Sequence, residues 1–146
     1  MSNVTLAQAA IIVDKALEHG RAQKFKPLAV AVLDSGGHLV AFKREDKTSI
    51  MRFEIAFGKA YGCLGMGFGG REFARRVPIA PHFIQALSGA FEGRVVPVPG
   101  GMLIRDGAGD ILGAVGISGD TSENDEACGV AGIKAAGLNA DTGATA

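Results

Sequence analysis

The sequence predicts a single α+β domain in which helices pack on a mostly antiparallel sheet of about five strands. Two segments have the pattern of β-hairpins, because apolar runs flank turns at residues 34–37 and 106–109 whose glycines can adopt a positive φ. Amphipathic helical patterns precede, separate and follow these hairpins. The 146 residues are 47% hydrophobic and contain no linker rich in Pro, Ser or charge, so we expect one core and one domain.

The N-terminal part of the chain predicts a helix followed by the first hairpin. Thr5 and Gln8 have the spacing of a capping box, and apolar residues recur on one stripe, which predicts a helix over residues 5–19. The predicted hairpin has strands at 28–34 and 38–44. Because its first strand is apolar on both sides, we expect that strand to be central and covered.

A long helix is predicted from about residue 48 to residue 66, and the glycine-rich stretch 65–70 ends it. Gly58 and Gly62 each cost about 1 kcal/mol relative to alanine in a helix interior. We therefore expect close packing of this helix against the sheet or against another subunit. Short helices are predicted at 71–77 and 81–89, as a flap that borders a pocket.

The C-terminal part predicts a strand at 95–98, a second hairpin beginning near residue 102, and a helix over residues 123–136. Prolines restrict the strand at 95–98 to a sheet edge. Ser122, three residues before Asp125, has a spacing similar to a capping box. A helix start next to a glycine-rich strand end is typical of an anion or carboxylate site. Residues 139–146 are small and polar, which predicts a disordered tail.

The composition argues against several classes of protein. Fifteen basic and fifteen acidic residues cancel, and no cluster of Lys and Arg is interleaved with aromatics, so we expect neither nucleic-acid nor membrane partners. No apolar run reaches the length of about eighteen residues of a membrane span, and the first apolar stretch carries charges unlike a secretion signal. We therefore expect a cytoplasmic protein. Cys63 and Cys128 lack Cys-x-x-Cys spacing and are expected to be buried.

Motifs spread over residues 4–138 carry a family resemblance. They follow a Leu-rich first helix in a fixed order, at residues 29–46, 55–60, 96–101 and 112–120 and at Asp125-Glu126. In these motifs the chain resembles the GlcG/HbpS family. The resemblance implies a profilin-like fold, homo-oligomers built from dimers and, for some members, binding of haem or a role in haem and iron handling. A related domain is fused to PduO-type corrinoid adenosyltransferases. Where many members continue with Thr-Ala after residue 60, this chain has Tyr61-Gly62.

The candidate haem ligands are the three histidines, His19, His38 and His82. Tyr61, Cys63, Cys128 and the four methionines are further side chains able to bind iron. His19 lies at a predicted helix end, where an imidazole also interacts with the last carbonyls. His38 follows a turn and His82 begins a predicted helix. Because no His-x-x-x-His or Cys-x-x-Cys pair is present, the sequence predicts no metal site.

A ligand pocket is predicted between the long helix and the glycine-rich strand ends. Arg52 and Lys59 share a helix face, and two cations on one face suit a ligand carboxylate. A Lys among small, apolar neighbours can have a lowered pKa and serve as a base. The competing explanation is ion pairing with acidic residues across a subunit contact. The candidate ligand-binding residues are Arg52, Glu54, Lys59, Gly100, Gly101, Ser118 and Asp125.

Three hypotheses for the function stay open at this point. The first is a homo-oligomer that binds a small organic ligand, with haem or another tetrapyrrole among the candidates. The alternative is a small catabolic-pathway enzyme acting on a carboxylate or hydroxy-acid substrate, with Lys59, Arg52 and Glu54 as its polar groups. The third is a structural oligomer without chemistry. The sequence has no Gly-x-Ser-x-Gly elbow. The glycines at residues 65–70 end a predicted helix instead of opening one after a strand, so they do not satisfy the context of a dinucleotide-binding fingerprint.

Overall fold

A computed structural model describes residues 2–145, and its fold confirms the predicted α+β class with a five-stranded sheet. The described helices are α1 (Leu6–Ala22), α2 (Arg52–Met66), α3 (Gly70–Arg76), α4 (Pro81–Ala90) and α5 (Ser122–Ala135). The strands are β1 (Ala29–Asp34), β2 (Leu39–Arg44), β3 (Gly101–Arg105), β4 (Ile111–Ser118) and β5 (Asn139–Asp141). The strand order is β2-β1-β4-β3-β5, and every neighbouring pair is antiparallel.

The sheet is covered by helices on both faces. Val30 and Val32 of β1 belong to the core cluster shared with α1 and α5, whereas Leu33 belongs to the cluster shared with α2. Residues Ala29–Leu33 are therefore buried on both sides, which confirms that this strand is central. A third apolar cluster holds α3 and α4 together around Phe73. None of the helices in the described part of the chain is long and apolar enough to span a membrane.

The close packing of α2 is explained by glycines in the sheet beneath it. Gly101 of β3 and Gly116 of β4 are paired across the sheet. A Cβ atom added at Gly116 would lie 1.8 Å from the carbonyl oxygen of Ala56, and one at Gly101 would lie 2.4 Å from that of Lys59. Because only glycine leaves this space, the α2 backbone rests directly on the sheet. The helix thus packs closely on the sheet as expected, although Gly58 and Gly62 themselves face Val96 and Val95 of the segment before β3.

The predicted strand at residues 95–98 is wrong, because these residues form an irregular segment before β3. The backbone N–H of Val96 donates to the carbonyl of Gly58, at an N···O distance of 3.1 Å, so the segment is bound to α2 rather than to the sheet. Pro97 and Pro99 lack the N–H donors that a strand ladder requires.

The predicted disorder of residues 139–146 is also wrong at its start. Asn139–Asp141 form β5, which pairs with β3, and the Arg105 side chain donates to Asp141 at 2.9 Å. The sequence shows no strand pattern here, because the strand is only three residues long and lies at the edge of the sheet. Ala146, the last residue of the predicted tail, lies outside the described residues.

The start of one helix is confirmed, and the start of another differs from the predicted one. The capping box of Thr5 and Gln8 is confirmed at the start of α1. At the start of α5, however, the N-cap is Thr121, whose hydroxyl accepts from the N–H of Asn124, and not Ser122. The Asp125 side chain turns inward instead of completing a capping box, and this orientation creates the polar junction described next.

Candidate functional site

A buried ion pair joins α2 to the start of α5. The ammonium of Lys59 lies 3.1 Å from a carboxylate oxygen of Asp125 and donates to the carbonyl of Ile117 at 2.9 Å. The other carboxylate oxygen of Asp125 accepts from the backbone N–H of Asp120 at 3.0 Å. The side chains of Lys59 and Asp125 are 4% and 1% exposed. Burial raises the pKa of the Asp125 carboxyl, and the Lys59 ammonium acts in the opposite direction.

The structure brings most of the predicted ligand-binding residues to this junction. Arg52 donates to the hydroxyl of Ser118 at 3.0 Å, one residue beyond the carbonyl that Lys59 binds. Gly100 has φ +107°, and a Cβ atom there would lie 2.8 Å from the Lys59 ammonium. Gly101 is buried under α2. The six residues that meet here are Arg52, Lys59, Gly100, Gly101, Ser118 and Asp125.

This junction has the geometry of a structural contact. Lys59 uses two of its donors within the chain, and at 4% exposure its ammonium has no surface to offer a ligand. The competing explanation for Lys59, pairing with Asp125, is therefore the observed one, although the pair forms inside one chain and not across a subunit contact. Glu54 lies elsewhere, on an exposed part of α2. The three polar groups of the enzyme hypothesis thus do not converge on one site.

An open apolar groove lies along the exposed side of α2. It has a volume of about 460 Å³ and is bounded on one side by α2 and on the other by the turn that follows α4. Phe53 and Phe57 of α2 are four positions apart, so their rings project from the same helix face. The residues that line this aromatic groove are Phe53, Glu54, Phe57, Glu92, Gly93 and Arg94.

The groove is part of a continuous row of aromatic rings. The rings of Phe53 and Phe57 have their centroids 5.8 Å apart, and Phe57 stacks on Tyr61 with centroids 5.5 Å apart and planes 19° from parallel. Phe42 of β2 contacts Phe53 at one end, and Phe91 contacts Tyr61 at the other. Such a row presents flat, polarisable faces that stack well with planar ligands.

Arg94 places a positive charge beside this row. Glu92 and Gly93 have φ values of 54° and 79°, so the chain reverses sharply after α4. The reversal brings the guanidinium of Arg94 to 4.4 Å from the centre of the Tyr61 ring, which is a cation–π contact. Its Nε donates to the carbonyl of Phe91 at 3.1 Å. Arg94 is thus held in place at the groove while its side chain stays 46% exposed.

None of the three candidate histidines lines the aromatic groove. His38 is 81% exposed and contacts the carboxylate of Asp34 at 3.2 Å. His82 is exposed near the start of α4, and His19 lines a separate cavity beside α1. Among residues 2–145, no group of three or more His, Cys, Asp or Glu side chains is arranged to hold a metal ion.

A second cavity, of about 390 Å³, lies at the opposite end of β2 from the first hairpin turn. Two of its charged residues already pair with each other, because Arg21 lies 2.8 Å from Glu45, and Arg21 also donates to the carbonyls of Phe25 and Lys26. We therefore assign no ligand to this cavity.

The sequence prediction found Glu54 but missed the other lining residues of the aromatic groove. Phe53, Phe57 and Tyr61 recur at four-residue spacing, which is a readable signal for an aromatic helix face. Arg94 gave no such signal, because the turn that brings it to α2 is not visible in the sequence.

A family model described as "Haem degrading protein HbpS-like" matches residues 4–134. The chain belongs to this HbpS-like family. An uncharacterised 15.0 kDa protein of Citrobacter freundii, from the dhaT–dhaS intergenic region, is 29% identical over 125 residues, which are 86% of either chain. The predicted GlcG/HbpS relationship is thereby confirmed.

Solved structures share the fold of this HbpS-like protein. The crystal structure of a PduOC–haem complex has a TM-score of 0.83 at 24% identity, covering 97% of this chain and 99% of the other. Klebsiella pneumoniae ORFY, of the DUF336 family, has a TM-score of 0.82 at 23% identity, covering 94% and 92%. A double mutant of Streptomyces reticuli HbpS has a TM-score of 0.79 at 22% identity, covering 92% and 87%.

Proposed function

We propose that this protein binds a small planar organic ligand in the aromatic groove, with haem or another tetrapyrrole as the first candidate. The observation that carries the proposal is the row of aromatic rings that ends under the guanidinium of Arg94. The faces of Phe53 and Phe57 suit an apolar ring, and Arg94 suits a carboxylate at its edge. The groove, at about 460 Å³, has the size of a small-molecule site.

Two comparisons support a tetrapyrrole as the first probe. The family is described as haem degrading, and a structure of the same fold is a complex with haem. The aromatic rings and the one cation of the lining fit the ring and one carboxylate of such a ligand. They would hold it through Phe53, Phe57 and Arg94.

The experiment is a titration of the purified protein with haemin, followed in the Soret band. We expect saturable binding that Phe57→Ala weakens by about tenfold, because the ligand loses one stacking face. Phe83→Ala is the matched control, since Phe83 is 51% exposed on α4 and does not line the groove. Absence of saturable haemin binding, or equal weakening by both substitutions, would contradict the proposal.

We also propose that the protein assembles as a homo-oligomer, as the family resemblance implies. Light scattering at micromolar concentration tests this, and a monomer would contradict it.

A further inference from the structure

We propose that the aromatic groove recognises its ligand by ring stacking and by a carboxylate bound to Arg94, with no bond to a metal ion. This inference rests on the proposed function and names the class of ligand for that site: a planar ring system that carries a carboxylate, with or without a metal. Three observations lead to it. They are the types of side chain that line the groove, the contacts that hold Arg94, and the contacts of the Tyr61 ring.

The side chains that commonly bind haem iron are absent from the lining of the groove. The described lining residues comprise two Phe, two Glu, one Gly and one Arg, with no His, Cys, Met or Tyr. Cys63 and Cys128 are fully buried in the core, and burial raises the pKa of both thiols to about 12. The axial ligands of haem proteins are an imidazole, a thiolate, a thioether or a phenolate. A ring lying on Phe53 and Phe57 would meet none of these.

Arg94 is the one cation among the described residues that line the groove. Within residues 2–145, its terminal nitrogens donate no hydrogen bond, and its exposed ion pair with Glu92, at 3.9 Å, is longer than a hydrogen bond. The guanidinium is therefore positioned by its Nε and by the Tyr61 ring, while its outer donors stay available. A fixed guanidinium with free donors is well suited to bind a carboxylate through two hydrogen bonds.

Tyr61 has a side chain of a type that ligates haem iron, and it contacts two residues of the groove, Phe57 and Arg94. One face of its ring stacks on Phe57, and the guanidinium of Arg94 lies over the ring at 4.4 Å. Gly37 packs against the ring edge, where a Cβ atom would lie 2.8 Å from it. These contacts involve the ring and not the phenol oxygen. We therefore assign Tyr61 the role of a positioning residue for Arg94.

Two acidic side chains on the groove limit the charge of the ligand. Glu54 and Glu92 are both exposed and line the groove together with Arg94. A ligand carboxylate bound to Arg94 is attracted by one charge and repelled by two. Replacement of Glu92 by Gln should therefore strengthen binding of a carboxylate ligand, and the gain should shrink in high salt.

The test compares three probes: haemin, metal-free mesoporphyrin IX, and the dimethyl ester of mesoporphyrin IX. Mesoporphyrin fluorescence reports binding without any iron. We expect mesoporphyrin IX to bind within about threefold of the haemin affinity, and its dimethyl ester to bind about tenfold more weakly or worse. Haemin should bind without the spectral signature of a new axial ligand from the protein.

Substitutions separate the roles of the two residues. Arg94→Met should lose about tenfold in affinity for mesoporphyrin IX but not for its dimethyl ester, whereas Arg94→Lys should retain part of the affinity. Tyr61→Phe, which keeps the ring and removes the oxygen, should bind both porphyrins as the unmodified chain does. Arg76→Met is the matched control, since Arg76 makes a similar cation–π contact with Phe68, at 4.5 Å and outside the groove.

The outcomes distinguish this inference from the proposed function. If haemin binds and mesoporphyrin IX does not, or if Tyr61→Phe abolishes haemin binding, metal ligation is essential and the inference is overturned while the proposed function stands. If Arg94→Met weakens acid and ester equally, the carboxylate contact is overturned. If neither haemin nor mesoporphyrin IX binds, the proposed function fails and this inference fails with it.

Discussion

At the scale of single residues, the Lys59–Asp125 pair gives the polar junction a structural role. Both side chains are almost fully buried, and each also binds a backbone group of a neighbouring segment. A buried pair adds little stability compared with an apolar pair of the same size, but loss of one partner leaves a buried, uncompensated charge. The pair therefore fixes how α2, β4 and α5 meet.

Lys59→Met keeps the aliphatic stem and removes the charge, so we expect the free energy of unfolding to fall by about 3–5 kcal/mol. Urea denaturation measures this change. Adding Asp125→Asn to the same chain should recover part of the loss, because the amide is neutral and its oxygen can still accept from Asp120. Lys15→Met is the control, since the Lys15–Glu18 pair is exposed and should contribute less than about 1 kcal/mol. A change equal to that control would show that the junction is not structural.

The carboxylate of Asp120 gives the fold a dependence on pH. The backbone N–H groups of Lys26 and Thr121 and the side chain of Asn124 donate to it, and these contacts lower its pKa from the usual 3.8. A carboxyl whose pKa is lowered by folding stabilises the folded state above its unfolded pKa. That contribution disappears as the pH falls through the folded pKa.

We therefore expect Asp120→Asn to lower the urea midpoint at pH 7, and the difference from the unmodified chain to shrink as the pH approaches about 3. Asp110→Asn is a suitable control, because Asp110 is exposed and, within residues 2–145, its carboxylate accepts no hydrogen bond. A difference that stays constant from neutral to acidic pH would contradict the assignment.

At the scale of elements, the contact of α2 with the sheet depends on the absence of side chains. Gly116→Ala would place a methyl group 1.8 Å from the carbonyl oxygen of Ala56, and neither backbone can move without disturbing the core. We expect a loss of about 3 kcal/mol or more in the free energy of unfolding. Gly89→Ala in α4, with nothing within 4 Å of the new methyl group, should instead stabilise the protein slightly. Equal effects of the two substitutions would refute this account.

The elements that the sequence predicted correctly are those with strong local patterns. The apolar run of β1, the two glycine turns and the capping box at Thr5 each determine their structure from neighbouring residues. The elements that it missed depend on distant contacts. Residues 95–98 have an apolar pattern but bind the carbonyl of Gly58, and β5 is a strand only because β3 offers it an edge.

The same distinction holds for the candidate site at the scale of the whole molecule. Helix periodicity placed Arg52 and Lys59 on one face of α2, and the structure places both at the end of β4. Their burial could not be predicted, because it depends on how closely α2 approaches the sheet. The aromatic groove joins Phe53 to Arg94, far apart in sequence, through a turn with left-handed residues. Periodicity describes one element at a time and gives no information on such a pairing.

The structure also changes the argument for a homo-oligomer. Small residues on α2 suggested a subunit contact, but Gly58 and Gly62 face Val95 and Val96 of the same chain. The small-residue face of α2 is therefore already used within the chain, and the oligomer proposal now rests on the family resemblance.

The C-terminal segment closes one edge of the molecule. β5 pairs with β3, Asp141 contacts Arg105, and the carbonyl of Thr142 accepts from the N–H of Arg71 at 3.0 Å. Gly69 allows this approach, because a Cβ atom there would lie 2.1 Å from the backbone of Thr142. The segment thus ties α3 to the sheet and covers the edge of β3, a strand edge that would otherwise be free to pair with another chain.

Truncation after Leu138 should therefore lower the free energy of unfolding by about 2 kcal/mol or more, because several backbone hydrogen bonds and one ion pair are lost together. Truncation after Gly143 is the control, since it retains β5 and the contact of Thr142 with Arg71. The shorter chain should also aggregate at concentrations where the control stays dispersed, because the outer edge of β3 is exposed. Urea denaturation and light scattering measure the two effects. If both truncated chains have the same stability and the same tendency to aggregate, residues 139–143 do not stabilise the fold or protect the edge of β3. The other four strands, β2-β1-β4-β3, would then form a stable sheet without β5.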